Sequence, residues 1–194
     1  SSFVNPNSDL REMLSMEAVK QIVAISRKSD NSRPLGEVLD ERSFVNAIIG
    51  LHATGGSTNH MLHLPAMAAA AGIKLTWEDF EDLSEVVPLV ARVYPNGHAD
   101  VNEFHNAGGM NFIFHELIAQ GLLDTSANTS WGQNLADFIQ KPEIKNSKLV
   151  WTSERSQSQD ESILRSVGKP FMDSGGIKVL NGNLGKAVIK ISAV

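Results

Sequence analysis

The chain has no cysteine in its 194 residues. That excludes disulfides, thiolate metal sites and iron–sulfur ligation by its own side chains. It also lacks any run of Lys and Arg and carries a net charge of −5. Phosphate-backbone affinity needs clustered cations, and no aromatic RNA-binding motif stands in for them, so nucleic acid is excluded as a partner. No apolar stretch is long enough to span a bilayer, and no signal-peptide pattern opens the chain. The expectation is a soluble cytoplasmic protein with no membrane partner. Hydrophobic residues make up 42% and charged residues 20%, which allows a sizeable core in one domain, or in one domain with part of another. The chain starts at Ser1 and stops at Val194 inside the strand-like run from Ala187, so an excised interior piece is expected.

The stretch Ala53-Thr54-Gly55-Gly56-Ser57-Thr58-Asn59-His60-Met61-Leu62-His63-Leu64 is the most informative. Two glycines interrupt a helical apolar pattern, and three N-cap residue types restart it. A helix opened in this way exposes N–H groups that attract phosphate or carboxylate. Spacing alone leaves a ligand cradle and a plain helix–turn–helix corner equally open. His60 and His63 stand one turn apart, but no carboxylate follows in a zinc pattern. Hydrogen-bonded or substrate-facing histidines are therefore preferred to metal ligands. Tyr94 to Asn106 gathers His98 and His105 with three asparagines, Asp100 and Glu103 around a Pro-Asn-Gly turn. It reads as a sugar-acid recognition loop or as a solvated turn with Asp100 capping a helix.

Periodicity predicts a helix from about Leu10 to Arg27, a short turn at Leu35–Leu39, and a helix from Phe44 to Gly55. Another runs from Met61 to Gly72 with a kink or break at Pro65. Ile73-Lys74-Leu75 is expected as a short strand. Thr76 and Asp79 form a capping-box start for a helix to Leu83. Further helices are expected at Asp100–Asn106, Met110–Gln120 and Gln133–Ile139. Lys141 to Asp160 reads as loop, with one possible strand at Leu149-Val150-Trp151. After Phe171 the pattern becomes strand (Ile177–Leu180), turn (Asn181–Asn183), strand (Ala187–Val194). The fold class expected is α/β. Residues 1–170 read as a mainly helical part of one domain, and 171–194 as the opening strands of a β-rich one.

Ala53 to Asn59, Leu83-Ser84-Glu85-Val86-Val87-Pro88-Leu89, Tyr94 to Gly97, Ala107-Gly108-Gly109 and Gly176 to Val188 together resemble the dihydroxyacid/phosphogluconate dehydratase family. Ser1 to Pro6, His60 after the Gly-Gly-Ser-Thr-Asn run and the Tyr-Pro-Asn-Gly turn resemble the branch that takes phosphogluconate. The resemblance implies a hydro-lyase that converts 6-phospho-D-gluconate to 2-dehydro-3-deoxy-6-phosphogluconate in the Entner–Doudoroff pathway, as a homodimer. It implies an iron–sulfur cluster of the 4Fe–4S type and Mg²⁺. Their ligands, and the catalytic serine motif, are expected outside this chain, the cysteines before Ser1 and the rest beyond Val194. The resemblance assigns no catalytic residue or metal ligand here. It implies that Ser57, Thr58, Asn59 and His60, with His105 more weakly, line a pocket for a phosphorylated sugar acid. The chain alone is then expected to be inactive. Two alternatives remain: a noncatalytic domain that binds an anionic sugar at the diglycine corner, and a purely structural piece.

Overall fold

The computed structural model describes residues 3–155 and 157–192. Among them it is a mainly helical α/β arrangement. Ser8 accepts the Arg11 N–H and opens α1 (Asp9–Ala24). A short α2 (Leu35–Val38) leads to Asp40, whose carboxylate accepts the Ser43 N–H at 3.0 Å and starts α3 (Glu41–Thr54). Next come α4 (His60–Ala70), α5 (Trp77–Val86), α6 (Val101–Asn106) and α7 (Gly109–Ala119). Asp100 caps α6 by accepting the Asn102 and Glu103 N–H groups at 2.8 Å, and Asp79 accepts the Thr76 N–H at 2.7 Å ahead of α5. Both caps act as the sequence predicts. No helix among the described residues is long and apolar enough to cross a membrane.

Helix α3 is central because both of its faces are apolar. Phe44, Ile48 and Leu51 pack with Met61, Leu64 and Ala68 of α4, Phe80 of α5, and Ile177 and Val179. Ile49 and Ala53 face a second cluster built from Val87, Val90, Phe104, Phe112, Ile113, Leu117 and Leu164. Helix α4 runs through Pro65. Proline removes the N–H that would bond the carbonyl four residues back. That carbonyl, on Met61, instead accepts the Trp77 indole N–H at 2.9 Å, so the helix continues without an orphaned acceptor.

Strands β1 (Lys141–Lys145) and β2 (Lys148–Thr152) form an antiparallel hairpin, as do β3 (Ile177–Gly182) and β4 (Gly185–Lys190). Ile177 and Val179 point inward against α3 and α5, while Lys178 reaches the Ser84 hydroxyl at 3.2 Å and the Glu85 carboxylate.

Several expectations need correction. Ile73-Lys74-Leu75 forms no strand and has no ladder partner among the described residues; a strand needs one. The expected helix at 133–139 is a tighter 3₁₀ turn, Leu135–Phe138. The loop-like 141–160 segment contains a whole hairpin, closed by Asn146 and Ser147, both at positive φ. The second hairpin turns at Asn183–Leu184 rather than at Asn181–Asn183, since Gly182 pairs with Gly185. The last strand runs from Gly185 to Lys190 and ends short of the expected Val194, with Ile191 and Ser192 leaving the ladder; 193–194 lie outside the described residues.

The apolar stretch that follows α5 is the hub between the helices and the C-terminal part. Val87, Leu89, Val90 and Ala91 are fully buried. The Val90 N–H donates to the Ala53 carbonyl at 2.8 Å and the Leu89 N–H to Met172 at 2.9 Å. Phe171 and Arg165 donate back to the carbonyls of Leu89 and Val90. The stretch therefore behaves as a short central strand with partners on both sides.

Candidate functional site

The diglycine corner is a buried junction. Gly55 sits at φ 56, the left-handed conformation that ends a helix. Its N–H donates to the His52 carbonyl and that of Gly56 to Leu51 at 3.0 Å, so two of the last carbonyls of α3 are satisfied. The Gly55 carbonyl accepts the Asn96 side-chain N–H at 2.7 Å, and Asn96 in turn accepts the Ser192 hydroxyl at 3.0 Å. Asn96 belongs to the Tyr94-Pro95-Asn96-Gly97 turn, whose Tyr94–Pro95 bond is cis. A Cβ on Gly176 would meet the Gly55 Cα at 3.0 Å and Ser192 at 2.8 Å. Three motifs that are far apart in sequence thus meet in one hydrogen-bonded knot.

Directly behind the knot, His52 is fully buried. Its Nε2 lies 2.9 Å from the Phe80 carbonyl. A carbonyl only accepts, so Nε2 carries the proton and Nδ1 is a bare acceptor with no hydrogen-bond partner. Burial, opposed by the Phe80 bond and aided by the Lys178 cation, holds the His52 pKa down at about 4. Gly175 packs on this ring, and its N–H donates to the Ser84 carbonyl at 2.7 Å.

Beyond the corner the chain turns outward. Ser57, Asn59 and His60 are exposed and Thr58 is half-buried. Ser57 Oγ accepts the Asn59 N–H at 3.2 Å, and the Ser57 carbonyl lies 3.0 Å from His60 Nδ1. Ser57 is therefore the residue that caps the turn, and His60 Nδ1 donates to its carbonyl. His63 is also exposed. His105 lies elsewhere. It lines a cavity of about 890 Å³ together with Asn106, Asn111, Lys141, Trp151 and Arg155, and none of Ser57 to His60 contributes to that wall. Burial, with Lys141 adding to it, holds His105 below its ordinary pKa.

The donor set does not fit the cofactors that the resemblance implies. The sequence has no thiolate to hold a cluster. Among the described residues no group of three or more His, Asp or Glu side chains could hold a metal ion. No reaction step is derived through either group.

The comparisons with known proteins agree with the motifs. The family model for the dihydroxy-acid/6-phosphogluconate dehydratase N-terminal region matches residues 1–138. The chain belongs to this family. Over its whole length it is 51% identical to the phosphogluconate dehydratase of Rhizobium meliloti (strain 1021) and 47% identical to that of Escherichia coli (strain K12), covering 32% of each relative. A dihydroxy-acid dehydratase of Caldanaerobacter subterraneus subsp. tengcongensis is 33% identical over 95% of the chain, which covers 30% of it. The chain spans about a third of the length of these dehydratases.

Sequence reasoning marked the corner but missed what closes it. Asn96 and Ser192 lie 41 and 137 positions beyond Gly55, and no local pattern announces such pairing. The buried His52 was missed as well. The glycine pair 175–176 was the available signal, because a close backbone approach needs a glycine.

Proposed function

We propose that this chain is part of a hydro-lyase that dehydrates 6-phospho-D-gluconate to 2-dehydro-3-deoxy-6-phosphogluconate, a step of the Entner–Doudoroff pathway. The observation that carries the reading is the gap in identity: 51% and 47% to phosphogluconate dehydratases against 33% to a dihydroxy-acid dehydratase. The elimination removes the proton α to the carboxylate and the neighbouring hydroxyl as water, and the enol that results becomes the 2-oxo acid. No acid or base for these steps is assigned to the present residues. The iron–sulfur cluster and Mg²⁺ of the reading would take their ligands from outside these 194 residues, because the donor set here does not suit them.

In this reading the knot around Gly55 is scaffold, and the turn that leaves it is the working surface. Ser57, Thr58, Asn59 and His60 offer hydroxyl, amide and imidazole groups to a polyol acid, held in place by a corner that is itself buried and hydrogen-bonded. His105 joins the proposal through the polar cavity that it lines. The test is a pair of alanine variants, Asn59→Ala and His60→Ala, in the whole enzyme. Each side chain is exposed, so the melting temperature should stay within about 2 °C. Turnover of 6-phosphogluconate should fall about tenfold or more, as loss of a charge-assisted or polyol hydrogen bond implies. Unchanged turnover in both variants would remove the turn from the substrate pocket.

A further inference from the structure

Another cavity, of about 580 Å³, opens where the end of α1 meets α2 and the loop at 128–133. Its size is within the range of small-molecule sites. Neither His105 nor any residue of the Ser57–His60 turn lines it. Hydrogen bonds between segments pin its wall. The Gln21 side chain of α1 donates to the Ser130 carbonyl at 2.7 Å, and the Asn128 side chain donates to the Glu37 carbonyl of α2 at 3.3 Å. The Arg33 N–H donates to the Ile25 carbonyl at 3.0 Å and folds the intervening loop back on the end of α1. Trp131 sits in a closed turn, where the Thr129 hydroxyl accepts the Trp131 and Gly132 N–H groups at 3.1 and 3.0 Å. The cavity is therefore preformed.

The side chains on this frame are polar and unpaired. Arg33 is half-buried, and among the described residues its guanidinium has no ion pair, hydrogen bond or ring contact. Arg42 and Arg155, by contrast, each hold a carboxylate, on Asp40 and Glu116. The Asp30 and Glu37 carboxylates, the Gln133 amide and the Trp131 indole N–H, all from the same wall, are likewise without partners among the described residues. Three charged groups thus share one cavity without pairing with one another.

That set narrows the ligand. An anion would gain one guanidinium but meet two carboxylates, and a cation would be repelled by Arg33 and leave it without an acceptor. An apolar ligand would bury the donors and acceptors unpaired. A hydroxyl group both donates and accepts, so a polyol satisfies Arg33 and the carboxylates together, and the neutral amide and indole N–H as well. Trp131, half-buried, is the one aromatic residue of the wall, and an indole face suits the C–H face of a sugar ring.

We propose that this cavity binds a neutral, hydroxyl-rich ligand of hexose size, with Arg33, Asp30 and Glu37 bonding its hydroxyls and Trp131 covering its ring. The site shares no residue with the turn assigned to the acid substrate, so it stands apart from that assignment.

The test is saturation-transfer NMR on the whole enzyme with D-glucose, D-mannose and D-galactose. At least one should show transfer with a Kd of about 1 mM, as expected of a ligand with so few atoms. Arg33→Gln and Trp131→Leu should each raise that Kd about tenfold or more, the cost of one charge-assisted contact or of the ring platform. Asn59→Ala, on the turn assigned to the acid substrate, should leave it unchanged, which separates the cavity from the substrate surface. If Trp131→Leu does not fold, Arg33→Gln carries the test alone, because its guanidinium bonds nothing in the fold. No transfer from any of the three sugars would overturn the proposal, and so would an equal Kd for the wild type and Arg33→Gln. Displacement of the sugar by inorganic phosphate or by L-alanine would overturn the chemical class, since an anion or a zwitterion would then be the better fit.

Discussion

Gly175→Ala is expected to destabilise the fold by about 3 kcal/mol, at the upper end of what overpacking costs. The added Cβ would stand 2.5 Å from His52 Nδ1, 2.8 Å from Cγ and 2.9 Å from Cβ. None of these atoms is a free side-chain end. His52 is fully buried, rooted in the middle of the core by α3 and tied to the Phe80 carbonyl. Gly175 cannot retreat either, because its N–H is bonded to Ser84. Gly50→Ala is the natural comparison. It lies inside the same helix with nothing within 4 Å of its new Cβ, so it should be neutral or stabilising by up to about 1 kcal/mol. Denaturant midpoints would separate the two. In a His52→Ala background the cost of Gly175→Ala should shrink sharply, since the clash is with that ring. A cost below about 0.5 kcal/mol in the wild-type background would mean that the two segments do not pack as described.

The second large effect is on pH dependence. His52 has a folded pKa of about 4 against an ordinary 6.5. The unfolded chain therefore binds the proton first as the pH falls. The stability linked to neutral His52 is fully present above pH 6.5, is lost as the pH drops from 6.5 to 4, and changes no further below that. The loss across the window is about 3 kcal/mol. The Lys178 cation, held by Ser84 and Glu85, works in the same direction. The carboxylates with lowered values, Asp40, Asp124, Glu143 and Asp160, act lower down, as the pH falls through and below 4.5. His52→Gln can still donate to the Phe80 carbonyl but does not titrate. Denaturation at pH 7 and at pH 4.5 should show a steep loss for the wild type and a much smaller one for His52→Gln. Equal losses would show that His52 is not the buried neutral group.

These effects locate what the sequence could reveal. Features fixed by a few neighbouring residues were legible: the Asp100 cap, the Thr76–Asp79 start of α5 and the end of α3 at Gly55. So was the apolar-then-turn pattern of the last hairpin. Features that depend on a distant partner were not. Ile73 to Leu75 has strand composition but, among the described residues, no neighbour to pair with. Lys141 to Lys145 contains Pro, Glu and two Lys, poor strand formers, and pairs only because β2 folds back on it. In the site, the outward turn at Ser57 to His60 could be read directly. The knot through Asn96, Gly176 and Ser192 arises from long-range pairing and leaves no local trace.

The corner itself changes meaning once the structure is seen. From sequence, its glycines could have served either a ligand or a helix turn. The hydrogen bonds of Gly55 and Gly56 are taken up inside the fold, and their lack of side chains admits Asn96, Leu89 and Ser192. The glycines serve packing, and Ser57, Asn59 and His60 after them are exposed.

The most direct measurement for the proposed function is turnover by the whole enzyme, with the proposed cluster reconstituted, on two substrates in parallel: 6-phospho-D-gluconate and a branched-chain 2,3-dihydroxy acid. The account predicts that kcat/KM for 6-phosphogluconate exceeds that for the dihydroxy acid by about a hundredfold or more, since an acid without a phosphate cannot replace the charge-assisted hydrogen bonds that a phosphate makes. Equal turnover of the two acids, or preference for the dihydroxy acid, would contradict it.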